Sequence, residues 1–121
     1  MKIYIYIAML LVSCGSIYAK DKIKQSIPFM NMLKAAEQSD IKKFKFSYSK
    51  QIRENKQQND WQANIAEAKK NIKKLFGDIK DDNFTFKFDK EKSKLKVFYK
   101  EELVCQIKVI QENGIWKLNE R

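Results

Sequence analysis

The spacing of apolar residues changes at Asp81-Asp82, and this change constrains the fold more than any other feature of the chain. Before it, apolar side chains recur every three or four residues, as on one face of a helix. After it, they alternate with polar side chains, as on a half-buried strand. Helices followed by strands predict an α+β fold, with the helices packed on one face of an antiparallel sheet.

Three helices are expected before the change. Ser26 and Pro28 mark the start of the first, because serine is a common helix cap and proline is favoured in the first turn. Asp40 is expected to cap a second helix that continues to Tyr48, and a polar loop then covers residues 51–59.

The third helix has the clearest pattern, capped by Asn59 or Asp60 and ended by Gly77. Because a helix turns by about 100° per residue, its apolar residues fall on one stripe of the helix surface. They are Trp61, Ile65, Ala68, Ile72, Leu75 and Phe76.

Four strands are expected after Asp82, and Asn113-Gly114 is a strong hairpin signal before the last of them. Their alternating residues are Phe84, Phe86 and Phe88; Leu95, Val97 and Tyr99; Leu103, Cys105, Ile107 and Val109; and the run Ile115 to Leu118. The sequence therefore predicts one α+β domain over residues 27–121, in which three N-terminal helices pack on a curved, four-stranded antiparallel meander sheet.

A further pattern is formed by Ser39-Asp40 and by the residues Asn113 to Leu118, which read Asn-Gly-Ile-Trp-Lys-Leu. It resembles small bacterial envelope lipoproteins with a nuclear-transport-factor-2-like domain, which have an Asp-led second helix and close on a Gly-x-Trp-Lys hairpin. The likeness covers about Ile27 to Asn119. It implies a curved sheet and helices that enclose a conical cavity in many relatives, and it implies no activity.

A short apolar run from Ile3 to Val12 follows the single charge of Lys2, which is typical of an export signal. The run ends at Leu11-Val12-Ser13-Cys14-Gly15. Leu11 to Cys14 match the bacterial lipobox position by position, so the chain also resembles a bacterial lipoprotein.

This resemblance implies cleavage between Ser13 and Cys14, diacylglycerol on the Cys14 sulfur and a further acyl chain on its amine. Leu11, Ser13 and Gly15 flank the cleavage site. Residues 1–13 are then the signal peptide and residues 14–26 the lipidated cysteine and tether. Anchoring in the cell envelope is expected, at the outer membrane if the cell has two membranes, because Gly15 is not the aspartate that commonly retains lipoproteins at the inner membrane.

Alternatives to the lipobox remain open. The uncharged stretch from Ile3 to Ala19 is near the short limit for an uncleaved membrane anchor. Cleavage after Ala19 would give a secreted protein, although Ile17 is bulky for that site. A four-residue pattern also arises by chance. Three lysines, Lys20, Lys22 and Lys24, follow the run, whereas positive charge usually stays on the cytoplasmic side.

The formal net charge is +10, and it falls to +9 if Lys2 is removed with the signal peptide. Such a charge favours anionic partners, which for an exported protein means anionic lipid, an envelope polymer or an envelope protein rather than nucleic acid. A solvated lysine-rich surface is the alternative. A nucleic-acid binder would need its lysines to converge on one face; the candidates are Lys42, Lys43, Lys45, Lys70, Lys74, Lys94 and Lys96.

Catalysis is not expected, because the chain has no histidine and offers no buried carboxylate pair. No metal or other cofactor is expected apart from the covalent lipid on Cys14. If Cys14 is acylated, Cys105 has no intrachain partner and should be a buried, inert thiol. We expect a monomer.

The second functional hypothesis is a pocket for a small apolar ligand, because such sites are lined by aromatic side chains. The alternative is that the same aromatic residues fill the core. The candidates are Tyr48, Trp61, Phe84, Phe86, Tyr99 and Trp116.

Overall fold

The computed structural model describes residues 23–55 and 60–120. A 3₁₀ turn (Lys24–Ser26) leads into four helices, which are α1 (Ile27–Glu37), α2 (Ile41–Phe46), α3 (Lys50–Arg53) and α4 (Trp61–Phe76). A second 3₁₀ turn (Asp81–Asn83) precedes four strands, which are β1 (Phe84–Asp89), β2 (Lys94–Tyr99), β3 (Glu102–Glu112) and β4 (Ile115–Leu118).

The strands form one antiparallel sheet in the order β1-β2-β3-β4, so each strand pairs with its neighbour in sequence. The α+β class and the order of helices before a meander sheet are confirmed. The short helix α3 adds a fourth helix to the three that the sequence predicts.

Local signals placed the helix ends correctly in three cases. The Asp40 carboxylate accepts a hydrogen bond from the Lys43 backbone N–H at 3.1 Å, and Asp60 accepts one from Ala63 at 3.1 Å. Gly77 ends α4 with φ of +66°, a conformation that glycine adopts without the steric cost that a Cβ brings.

The predicted start of α1 is confirmed, with Pro28 in its first turn, but no side-chain cap is formed by its N-cap residue, Ser26. Its hydroxyl donates to the carbonyl of Ile23 at 2.6 Å and makes no cap bond to α1. The 3₁₀ turn contacts α1 and β4, and Ile23 packs against the core. The folded domain therefore includes Ile23 to Ser26, which the sequence analysis assigns to the tether.

The segment after α2 also differs from the expectation. The second helix ends at Phe46 rather than at Tyr48, and Tyr48 forms a parallel bridge with Leu118. The Leu118 N–H donates to the Ser47 carbonyl at 2.9 Å, and the Ser49 N–H donates to the Leu118 carbonyl at 2.8 Å. Residues 47–49 thus extend the sheet beyond β4.

The predicted loop over residues 51–59 is wrong at its start, where α3 begins. Ser49 caps α3 through a hydrogen bond that its hydroxyl accepts from the Ile52 N–H at 3.3 Å. The same hydroxyl donates to Oδ1 of Asn119 at 2.6 Å. The cap therefore also ties α3 to the end of the sheet.

One face of the sheet, the inner face, packs against the helices. Phe29 on α1 contacts the rings of Phe84 and Phe86 edge to face, with ring centroids 6.4 and 6.1 Å apart. Phe76 at the end of α4 contacts Phe84 at 5.1 Å. The opposite, outer face carries the alternate side chains of the strands, which include most of their lysines.

Candidate anion-binding groove

The expected lipid-attachment site lies outside the residues that the structure describes. This applies to Cys14 and to the flanking residues Leu11, Ser13 and Gly15. Their roles stay predictions from the sequence.

The six aromatic residues of the predicted apolar pocket belong to three separate groups of touching rings. The rings of Tyr48 and Trp61 pack together with their centroids 5.4 Å apart, and both rings contact Phe44. Trp116 contacts Phe88 at 5.5 Å.

The remaining three pack around the end of α4, where Tyr99 contacts Phe84 at 5.0 Å and Phe84 stacks on Phe86 at 6.3 Å. The Tyr99 hydroxyl donates to the Phe76 carbonyl at 3.3 Å, which satisfies its polar atom inside the core. The rings thus contact one another and the core, as the core-filling alternative predicts.

Two surface depressions in the described part of the chain are lined by other residues. One lies at the end of α4 and is lined by Glu37, Lys69, Ile72, Lys73, Gly77 and Asp78. The other lies over α2 and α3 and is lined by Lys42, Lys43, Lys45, Phe46 and Arg53. We call the second depression the basic groove.

The basic groove follows from how α2 folds. Its Asp40 cap starts the helix so that Phe44 points inward, where it is 1% exposed, and the lysines on both sides of Phe44 point outward. Phe46 ends the helix just before the chain joins the sheet edge. It lies on the surface with 59% of its area exposed, so the groove has an aromatic wall.

The groove is open to solvent and has a volume of about 340 Å³. Four of its five lining side chains are cationic and none is acidic. Lys45 also lies over the ring of Trp61, with its ammonium 5.9 Å from the ring centroid. Such a concentration of positive charge around one aromatic ring favours an anionic group with an apolar portion.

Lys117 adds a fifth positive charge beneath the aromatic wall. Its ammonium donates to the Phe46 carbonyl at 2.5 Å and lies 3.1 Å from the centroid of the Phe46 ring. The residue is only 4% exposed. A buried ammonium needs such partners, because its removal from water disfavours the charged form.

The electrostatic environment of Lys117 is cationic on balance. Burial lowers the pKa of its ammonium, the Arg53 guanidinium lowers that pKa further, and the Glu112 carboxylate partly opposes both effects. Glu112 also accepts a hydrogen bond from the Lys50 backbone N–H at 2.9 Å. Arg53 donates to the Tyr48 carbonyl at 2.5 Å, which fixes its position at the groove.

Sequence reasoning found part of this groove. Lys42, Lys43 and Lys45 are among the lysines considered for polyanion binding, whereas Phe46, Arg53 and Lys117 were missed. The available signal was Lys117, which lies between Trp116 and Leu118 in the last strand. Its burial depends on residues 47–49 pairing with the end of β4, which the sequence pattern does not indicate.

The other lysines considered for nucleic-acid binding do not share one face. Lys94 and Lys96 lie on the outer face of the sheet, since Leu95 and Val97 between and beside them are fully buried on the inner face. Lys70 and Lys74 lie on α4, in the helical layer on the opposite side of the sheet. Convergence of all seven lysines is therefore not observed.

Within residues 23–55 and 60–120, no three side chains of histidine, cysteine, aspartate or glutamate come together as a metal site requires. Cys105 lies half-buried against the core, and burial, with the nearby Glu120 carboxylate, raises the pKa of its thiol to about 11. A thiol with that pKa is a poor nucleophile at neutral pH. In the same described ranges, no helix has the length and apolar character needed to cross a bilayer.

No protein-family profile, curated protein or solved structure matches the chain.

Proposed function

We propose that this protein is a lipid-anchored, non-catalytic component of the bacterial cell envelope, and that its domain binds an anionic envelope component in the basic groove. The observation that carries the binding function is the arrangement of Lys42, Lys43, Lys45 and Arg53 around the exposed ring of Phe46. A cationic rim and an aromatic wall suit an anionic group attached to an apolar one.

The anchor rests on the sequence of Leu11 to Cys14. Each methylene that enters the bilayer contributes about 0.8 kcal/mol, and stable anchoring needs two hydrophobic signals. Two or three acyl chains on Cys14 meet that condition. The proposed location is the envelope, at the outer membrane where there are two membranes; a secreted or signal-anchored protein is the alternative.

The non-catalytic assignment rests on the chemistry of the groove. Its lining holds cations and one phenyl ring, and a general acid–base pair is not part of it. Lysine and arginine side chains bind anions without a proton transfer at neutral pH. The groove is therefore suited to retain a ligand.

The order of helices and strands supports a further proposal, that the domain is related to nuclear-transport-factor-2-like envelope lipoproteins. Asp40 caps its helix as in the resemblance, and Asn113-Gly114 joins β3 to β4 with positive φ at both residues. No activity is transferred from that group.

The anchor is tested by fractionating cells that express Cys14→Ser, with Cys105→Ser as the matched control. Loss of the acylated sulfur should move the domain from the membrane fraction to the soluble fraction. Cys105→Ser should stay with the membranes, because that thiol lies against the core. Membrane association of Cys14→Ser equal to that of the wild type would contradict the anchor.

The groove is tested with dodecyl phosphate below its micellar concentration, with neutral dodecyl maltoside as the comparison ligand. The triple variant Lys42→Gln/Lys43→Gln/Lys45→Gln should bind dodecyl phosphate about a hundredfold more weakly, since three charge-assisted contacts worth about 1 kcal/mol each are lost. The charge-matched control is Lys70→Gln/Lys73→Gln/Lys74→Gln on α4, which should bind like the wild type. Equal losses in both triple variants would show that net charge alone is responsible and would reject the groove.

A further inference from the structure

Four of the lysines on the outer face of the sheet form two directly opposed pairs. In the register of the sheet, Lys87 on β1 faces Lys96 on β2, and Lys94 on β2 faces Lys108 on β3. Directly opposed residues have Cβ atoms about 5 Å apart, and residues two apart on a strand are about 7 Å apart. The four ammonium groups therefore share one small area, which we call the lysine face.

Like charges in directly opposed positions destabilise a sheet. Within the described part of the chain, none of these four ammonium groups lies within 4.0 Å of a carboxylate. The nearest acidic position in the register is Asp89, opposite Lys94, and its carboxylate accepts a hydrogen bond from the Lys92 backbone N–H at 3.2 Å. Asp89 and the Glu120 carboxylate, which accepts a hydrogen bond from the Lys108 backbone N–H at 2.6 Å, offset part of the repulsion at Lys94 and Lys108. Lys87 and Lys96, by contrast, have no acidic residue opposite them in the register.

Apolar side chains border the lysine face on the same side of the sheet. Phe98 lies beside Lys87, and the Lys87 ammonium is 5.8 Å from the centroid of the Phe98 ring. Leu103 is opposite Phe98 in the register and is 50% exposed. Ile110 on β3 is half-buried and lies opposite Lys117.

We propose that the lysine face docks on the surface of an anionic phospholipid bilayer. A cluster of lysines bordered by the exposed Leu103 and the half-buried Phe98 and Ile110 matches the interface of such a bilayer, where phosphates lie above the acyl chains. Binding removes the repulsion between the paired lysines, because the phosphates supply the missing negative charge. Docking rests on the proposed function in one respect only, which is that the anchor holds the domain near a membrane.

The length of the tether supports a bilayer as the occupant. Cys14 and Ile23 are nine residues apart, so the tether spans at most about 32 Å when fully extended. A domain held at that distance meets the bilayer surface at a high effective concentration.

The test measures binding of the full-length chain carrying Cys14→Ser to two kinds of vesicle. One contains only phosphatidylcholine, and the other mixes phosphatidylglycerol with phosphatidylcholine. The N-terminal run is the same in all samples, so its contribution cancels between variants. The chain with the unchanged lysine face should bind the anionic vesicles more tightly than the phosphatidylcholine vesicles.

The face variant combines Lys87→Gln, Lys94→Gln, Lys96→Gln and Lys108→Gln. Each lysine near an anionic surface changes the partition coefficient by about fivefold, so the loss of four lysines should lower the preference for anionic vesicles by about 600-fold. The charge-matched control combines Lys69→Gln, Lys70→Gln, Lys73→Gln and Lys74→Gln on α4. The control should retain most of the preference, and equal losses in the two variants would overturn the proposal.

A second readout is the reaction of wild-type lysines with an amine-acetylating reagent. Anionic vesicles should protect Lys87, Lys94, Lys96 and Lys108 and leave Lys70, Lys73 and Lys74 reactive. Protection of both sets, or of neither, would contradict docking through the lysine face.

Soluble polyphosphate separates the bilayer from a polymer. If polyphosphate protects the lysine face at lower phosphate concentration than anionic vesicles do, the partner is a polymer and bilayer docking is rejected. None of these measurements uses the acylated cysteine or the basic groove. Failure here is therefore distinct from failure of the proposed function.

Discussion

Lys87 and Lys96 are directly opposed on β1 and β2, with both side chains on the face of the sheet that the helices leave uncovered. Like charges in directly opposed positions destabilise a sheet. Changing Lys87 to Glu should raise the free energy of unfolding by about 0.5 to 1 kcal/mol, because an opposed ion pair replaces a repulsive one.

Chemical denaturation at low salt measures this effect, and added salt should reduce it. The matched control is Lys70→Glu on α4, which has no cross-strand partner. A gain in stability from both substitutions would indicate that net charge, and not the opposed pair, is responsible.

The hydroxyl of Ser49 has two structural roles in a fully buried position. It donates to Oδ1 of Asn119 at 2.6 Å and accepts from the Ile52 N–H at 3.3 Å. Ser49→Ala should lower the free energy of unfolding by about 2 kcal/mol, since it removes a helix cap and leaves a polar partner unsatisfied.

Ser47→Ala is the control for Ser49→Ala. The Ser47 hydroxyl is also buried, but it makes one local hydrogen bond to the Lys43 carbonyl at 3.1 Å. Its loss should cost less than about 1 kcal/mol. Equal costs for the two serines would show that Ser49 does not tie α3 to the sheet.

The turn between β2 and β3 is strained. Lys100 and Glu101 both have positive φ, at +51° and +70°, although each carries a Cβ. Glu101→Gly should stabilise the domain by about 1 kcal/mol, because glycine adopts this conformation without the steric cost.

The neighbouring substitution Glu102→Gly gives the opposite expectation. Glu102 begins β3, where glycine loses conformational freedom and destabilises the strand. Thermal unfolding of the two variants compares them directly. Destabilisation by Glu101→Gly would contradict the left-handed conformation of the turn.

Cys105 makes the stability depend on pH in the alkaline range. Burial raises the pKa of its thiol from 9.0 to about 11. Between those values the thiol ionises in the unfolded chain before it ionises in the folded one, so the free energy of unfolding falls as the pH rises. The fall should not exceed about 3 kcal/mol, because each pKa unit is worth about 1.4 kcal/mol, and it should be absent well below pH 9.

The contribution of Cys105 is isolated by comparing the wild type with Cys105→Ala across this range, since the two proteins differ only in this side chain. The difference in stability between the two proteins should shrink from pH 9 to pH 11. A constant difference would show that the thiol is as exposed in the folded state as in the unfolded one.

The parts of the fold that could be predicted depend on local chemistry. Asp40, Asp60 and Gly77 act within a few residues of their own position, so their caps follow from the sequence. The Asn113-Gly114 turn and the alternation of Phe84, Phe86 and Phe88 likewise need only neighbouring residues.

The parts that sequence reasoning missed depend on contacts between distant residues. The bridge from Tyr48 to Leu118 shortens α2, and no local signal predicts it because the partner is about seventy positions away. The same pairing with β4 brings Phe46 over Lys117, which buries the lysine and forms the basic groove. The opposed lysines of the outer face follow from the register, which shifts between Val97 and Phe98 and is set by packing.

The most direct test of the lipid anchor is the mass of the N-terminal peptide of native protein purified from membranes. We predict a chain that begins at Cys14 and carries diacylglycerol together with an acyl group. An unmodified chain that begins at Met1, or at Lys20 after ordinary signal cleavage, would contradict the account.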